Sequence, residues 1–208
     1  MIISLSGFRG SGKGTVSKIL QEEYGYTEFS ISTPLKDIIS HLFSWDRELI
    51  EGVTIESRSW RKEIDPYWTE KFGFKVTPEL MLTKVGTDLF RNHIDEDFWV
   101  SVAERKIEEL IKTTNNIVIE RCSYINELNL IKKYKGFNIF VEREVPSWCY
   151  DAYIHNTTKS ALPISLQNIH SSEYSLVGHD FDYYISNHKT KEDLNSEVKK
   201  MTSFLKRS

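Results

Sequence analysis

Cysteine is scarce: Cys122 and Cys149 are the only two in 208 residues. They have neither metal-ligand spacing nor the number needed for a disulfide framework, so a reducing, cytoplasmic setting is expected, the host cytoplasm for a viral protein. Excess positive charge is missing too. Lysine and arginine total 27 against 30 aspartates and glutamates, a formal net charge of −3. Proteins that live on bulk nucleic-acid binding are usually basic, so no large DNA or RNA footprint is expected. No apolar run approaches the roughly 18 residues that cross a bilayer. The opening Met-Ile-Ile-Ser-Leu-Ser-Gly has no basic stretch and no long apolar core, so it is not read as a signal peptide. Internal repeats, low-complexity tracts and interdomain linkers are absent from the sequence. At this length one domain with a sizeable core is expected over 1–208.

What is present is an alternation of short apolar runs with helical periodicities. Ile2 to Ser6 reads as a buried parallel strand, and Val16, Ile19 and Leu20 mark the helix after it. Tyr26 to Ile31 is a second short strand. Ser32-Thr33-Pro34 starts a helix with a hydroxyl cap and proline in its first turn. Residues 44–76 are aromatic and charged with weak periodicity, and read as short helices and loops forming a substrate-side insertion. One helix is expected from Thr77-Pro78-Glu79 through Leu89, and another from Phe98 to Ile111. Ile117 to Ile119 and Phe137 to Val141 read as core strands ending at Glu120 and at Glu142-Arg143, with a helix from Ile125 to Tyr134 between them. Pro146 to Leu176 reads as polar and loop-rich. A last strand, Tyr183 to Ser186, precedes a helix from Thr190 to Leu205. This order implies a mainly parallel sheet covered on both faces, a three-layer α/β sandwich.

The most specific signal joins the first strand to the first helix. Gly7-Phe8-Arg9-Gly10-Ser11-Gly12-Lys13-Gly14-Thr15 has two glycines bracketing four residues, followed by lysine. The glycines permit positive φ and a close approach of backbone to ligand. Successive N–H groups then point at phosphate oxygens, and the helix N-terminus adds its dipole. Lys13 supplies a point charge for the β- and γ-phosphates. The segment 7–15 is therefore expected to bind ATP in a P-loop NTP-binding fold. A glycine-rich turn with a chance lysine is the alternative, which the strand–turn–helix context disfavours.

Further segments, in order, resemble the phage-type deoxynucleoside monophosphate kinases, a family of P-loop nucleotide kinases. They are Pro34-Leu35-Lys36-Asp37; Val85-Gly86-Thr87-Asp88 with Arg91 and Phe98-Trp99-Val100; Asn126-Glu127; His170-Ser171-Ser172-Glu173; and Asp182 to Asn187 before the last helix. The resemblance implies transfer of the γ-phosphoryl of ATP, with Mg²⁺, to the 5′-phosphate of a deoxynucleoside monophosphate. It implies a lid-like segment over about 143–176, and substrate contacts from Lys36, Asp37, Asp88, Arg91, Trp99, His170 and Glu173. There are departures from the family pattern. Arg121 and Ser123 stand where the family tends to have an acid and an arginine, and Glu79 and Thr83 where it often has an arginine and an amide; the alternatives they leave open are a kinase acting on another phosphorylated metabolite or a modified base in DNA, and a non-catalytic nucleotide-binding protein. The expected partner is a small nucleotide, with no membrane; a homodimer is left open.

Phosphoryl transfer depends on positioning and charge neutralisation, so the residues sought are cations and one metal-organising acid. Arg143, at a strand's C-terminal end, is a candidate phosphate clamp, or else a surface arginine beside Glu142 and Glu144. Lys36 with Asp37 face the acceptor, or form a helix-surface pair. Arg91 reaches the acceptor phosphate, or is solvated; Asp88 orients such an arginine, or is exposed. Thr15 and Glu120 are the expected magnesium residues, with a salt bridge to Arg121 or a lysine as the alternative for Glu120. Trp60, Tyr67, Trp68 and Phe74 stack on a base or fill a small local core.

Overall fold

The computed structural model describes residues 1–207. Five strands form one all-parallel sheet in the order β2-β3-β1-β4-β5: β1 is Ile2–Ser6, β2 Thr27–Phe29, β3 Ile117–Ile119, β4 Phe137–Glu142 and β5 Tyr183–Ser186. All five residues of β1 and all three of β3 are buried, as strands covered on both faces require. Alternation divides them between two layers. Ile3 and Leu5 join Val118, Ile139, Val141 and Ile185 against Val16, Ile19 and Leu20 of α1 (Lys13–Tyr24) and Leu194, Val198 and Met201 of the last helix (Lys191–Leu205). On the other face Ser4 donates to Asn138 Oδ1 (2.6 Å), and Asn138 Nδ2 donates to the Leu128 carbonyl (3.2 Å) of α8 (Ile125–Lys133). A sheet between two helical layers is the expected α/β sandwich.

The chain divides into two compact units, Met1–Ser30 with Glu104–Ser208, and Ile31–Ala103. The second contains α2 (Thr33–Phe43), α3 (Arg47–Glu51), α4 (Ile55–Trp60), α5 (Pro66–Phe72) and α6 (Pro78–Thr83), followed by a π-helix, Lys84–Ile94. The unit boundary falls within α7 (Phe98–Leu110). The expected insertion 44–76 lies inside this second unit. Its rings mostly pack on each other: Phe43 stacks on Trp45 at 4.5 Å and meets Trp68 edge-on at 5.1 Å.

Three local expectations are corrected. Ser32 makes no side-chain cap for α2, because its φ/ψ of −81°/−7° is already helical and the extended geometry of a cap is lost. The single helix expected through Leu89 changes at Lys84 into the π-helix, in which Leu35 sits where a Gly86 Cβ would lie (2.6 Å) and the Gly86 carbonyl accepts the Trp99 indole N–H (2.8 Å). Within the stretch expected to be loop-rich, Cys149–Thr158 forms α9; only Ala152 of it is buried, so no apolar stripe marked it. A short helix, α10 (Ser171–Tyr174), follows, and the last helix is α11.

Candidate functional site

In a parallel sheet all strands end at one edge, and ligands bind there, where the chain switches direction about the central strand. Here β1 is central, with β3 on one side and β4 on the other. Its C-terminal end runs into the loop 7–12 and then α1. The ends of its neighbours bring Glu120 after β3 and Arg143 after β4, while β5 brings Asn187.

The loop has the backbone its glycines predict. Gly7, Gly10 and Gly12 have φ of 140°, 82° and 103°. A Cβ on Gly7 would lie 2.2 Å from the Val141 carbonyl oxygen, and one on Gly12 would lie 2.3 Å from Asn187 Nδ2. The loop is also anchored by a ring. Phe8 is buried and meets Phe140 (5.6 Å) and Trp148 (5.5 Å) edge-on. Ser11 is buried, and its hydroxyl oxygen has no hydrogen-bond partner among the described residues. Arg9 and Gly10 are exposed at the tip.

Lys13 opens α1 and is buried. Its ammonium donates to the carbonyls of Gly7 (2.6 Å) and Phe8 (2.9 Å). Burial, joined by the Arg121 cation and opposed by Glu173 and Glu120, lowers its pKa to about 8. A Cβ on Gly14 would lie 3.2 Å from Glu120 Oε1, so the carboxylate faces the first turn of α1. Thr15 and Arg143 line a cavity of about 480 Å³ with Gly14, Lys18, Asn187 and Lys189. The loop accordingly fits a polyphosphate: positive-φ glycines bring backbone N–H groups inward, a buried hydroxyl is unpartnered, and a buried ammonium lies at a helix N-terminus. A carboxylate beside that helix start suits a magnesium ion that keeps waters and phosphate oxygens as its other ligands. Among the described residues, no three acids, histidines or cysteines cluster as a metal cage.

The other expected residues have these surroundings. His170 accepts from the Ser172 N–H (3.3 Å) and lies 2.7 Å from the Ser172 hydroxyl, at the start of α10. Tyr124 joins that helix through Ser171 at 3.0 Å. Glu127 is buried and accepts from the Ser123 N–H (2.7 Å) and Tyr124 N–H (3.3 Å), so it caps α8. In the 31–103 unit, Lys36 is buried and ion-paired to Glu51, which also receives Arg47 Nη1 (2.7 Å); Arg47 Nε donates to Asp37 (2.6 Å). Asp88 lies 3.7 Å from Lys84, and Arg91 Nη1 donates to the Glu96 carbonyl (3.1 Å). Trp99 is buried. Sequence reasoning passed over Glu51, and met Phe8 and Asn187 only as members of the 7–15 loop and the 182–187 segment, without a role of their own. The strand-end rule that singled out Arg143 would have found Asn187; no local pattern marks the other two.

No family model matches the chain. It is 26% identical to "Putative deoxynucleotide monophosphate kinase" of Acanthamoeba polyphaga mimivirus, over 95% of this chain and 94% of that one. Among solved structures it is similar in fold to dephospho-CoA kinase from Campylobacter jejuni, with a TM-score of 0.50, 14% identity, and 98% and 96% of the two chains covered. A shikimate kinase from Aquifex aeolicus superposes more loosely, with a TM-score of 0.46, 14% identity, and 100% and 99% covered.

Proposed function

We propose that this chain, one of the P-loop nucleotide kinases, transfers the γ-phosphoryl of ATP to the 5′-phosphate of a deoxynucleoside monophosphate, giving ADP and the diphosphate. The observation that carries the donor half is the loop 7–15, closed over a buried lysine at the head of α1. The acceptor half is supported by the ordered motifs 34–37, 85–88 and 170–173, and by the name of the viral relative.

In this reading the backbone of 7–14 and Lys13 hold the β- and γ-phosphates. The ammonium exchanges carbonyl partners for phosphate oxygens, which favours its charged form. Magnesium, when bound, would neutralise phosphate charge, and Thr15 and Glu120 are the residues that would hold it. Arg143 approaches the phosphates from the end of β4, and Lys18 and Lys189 add positive charge around the cavity that would take the rest of the nucleotide. The acceptor phosphate is a nucleophile already ionised at neutral pH, so these residues orient it and balance charge without a strong general base.

The test is to incubate the protein with ATP, magnesium and each nucleoside or deoxynucleoside monophosphate in turn, following ADP. Diphosphate should form with one or more deoxynucleotides, and Lys13→Ala should slow it about 10²- to 10³-fold. Silence with every monophosphate, while ATP still binds, would overturn the acceptor assignment.

A further inference from the structure

Asn187 connects three parts of the candidate site. Its backbone N–H donates to the Glu142 carbonyl at 2.7 Å, extending the β4–β5 ladder one step beyond the strands and bracing the residue before Arg143. Its side-chain Nδ2 donates to the Ser11 carbonyl at 2.8 Å, across 176 positions of sequence. The same amide occupies the space a Gly12 side chain would need. It is half-buried and lines the cavity with Gly14, Thr15 and Arg143. Within the loop, the Ser11 N–H donates to the Phe8 carbonyl (3.1 Å), and the Lys13 ammonium holds the Gly7 and Phe8 carbonyls, so the Ser11 carbonyl is held by Asn187 from outside the loop.

A loop that presents N–H groups to an anion must hold its carbonyls turned away. Each carbonyl that swings inward removes a donor and adds a negative dipole. Residues 10–12 contain two left-handed glycines, which gives them many alternatives to the binding conformation. We propose that Asn187 is a positioning residue for the phosphate loop: by holding the Ser11 carbonyl outward against Gly12, it preorganises the loop for the donor polyphosphate and keeps it in register with Arg143. This rests on the proposed ATP site. It assigns a function to the end of β5 in donor binding, not in acceptor choice.

Two readouts test it. Hydrogen–deuterium exchange of Asn187→Ala without nucleotide reads the loop directly. Amides in 7–15 should exchange faster than in the wild type, while β1, β3 and β4 stay protected. ATP titration should then show a dissociation constant raised about three- to tenfold in Asn187→Ala, the scale of one hydrogen bond. Asn187→Asp should lose more, since its carboxylate cannot donate to the Ser11 carbonyl and places negative charge beside the phosphates. For whichever acceptor the protein uses, KM for ATP should rise while kcat and the acceptor KM stay within about twofold. Unchanged exchange over 7–15 would overturn the proposal, as would faster exchange with unaltered ATP affinity, or a loss of protection spread evenly over the sheet. A wild-type protein that binds no ATP would instead sink the proposed function, and the exchange measurement would still decide whether Asn187 holds the loop.

Discussion

The buried cluster of residues 31–103 is rich in rings where the cluster between the sheet and α1 is mostly branched aliphatic. The first unit packs Ile3, Leu5, Val16, Val118, Ile139, Val141 and Ile185 between sheet and helices, with each side chain one of many. In the second, the core is Phe43, Trp45, Ile39, Ile50, Val76 and Met81, with Trp60 and Trp68 against it. The charges differ in the same way. Lys36 is buried and compensated by Glu51, whereas the Lys133–Glu104 pair of the first unit lies at the surface, its lysine side chain 66% exposed. A core made of many small contributions tolerates single losses better than one made of a few large ones.

The largest effect should therefore come from a ring. Phe43→Ala is expected to cost about 3–5 kcal/mol, against about 1 kcal/mol for Ile139→Val in the sheet. Urea unfolding measures both. Trp45, Trp60, Trp68 and Trp99 lie in the ring-rich unit and Trp148 in the other, so fluorescence mostly follows the former. Equal losses would break the comparison.

The ion pairs come next. Glu51→Gln leaves the Lys36 charge poorly compensated and should cost about 1–3 kcal/mol; Glu104→Gln should cost less than about 1 kcal/mol. Burial alone would raise the pKa of Glu51, but hydrogen bonds from Lys36 and Arg47 outweigh it and hold it below its ordinary value. A depressed carboxylate stabilises the fold above its unfolded-state pKa and ceases to do so as pH falls through the folded one. Denaturant midpoints taken through the acid range should therefore fall less steeply in Glu51→Gln.

The smallest effect sharpens the comparison from the other side. Lys13, buried without a carboxylate partner in hydrogen-bond contact, has its pKa lowered to about 8. Phosphate prefers the ammonium, so ATP affinity should hold below that pH and fall by at most about tenfold per unit above it. Calorimetric titration at about pH 7 and about pH 9 measures this. Lys13→Arg, which stays charged, should lose the inflection.

The parts of the molecule that were legible in the sequence are those built from local pattern. β3 and β5 begin and end where their apolar runs do, and the glycine spacing of 7–15 anticipated the left-handed backbone. Thr190 reads as a helix start and does cap α11, accepting from the Asp193 N–H at 3.2 Å. What stayed hidden depends on contacts between distant positions. The π-helix keeps the residue types of an ordinary helix, and its packing of Leu35 on Gly86 and Trp99 on the Gly86 carbonyl has no sequence period. Lys36 and Asp37 were recognisable as charged neighbours, but their sharing of Arg47 and Glu51 was not. Asn187 reaches Ser11 only because the sheet is already assembled.

The place of β1 also governs how the chain is made. It is the first of the five strands in chain order, yet both partners come late: Ile3 pairs with Val118 and with Phe137. At roughly 5–20 residues per second, about seven to twenty-seven seconds pass between the emergence of β1 and the end of β4. Until β3 emerges this apolar segment has no sheet partner, and until β4 emerges one edge stays open and the loop after it has no Phe140 or Val141 to rest on. Residues 31–103, whose cluster closes over short sequence distances, are complete well before then. The aromatic unit can thus close before the loop 7–12 has its supports, and a chain stalled before β4 would leave one edge of the buried strand β1 unpaired.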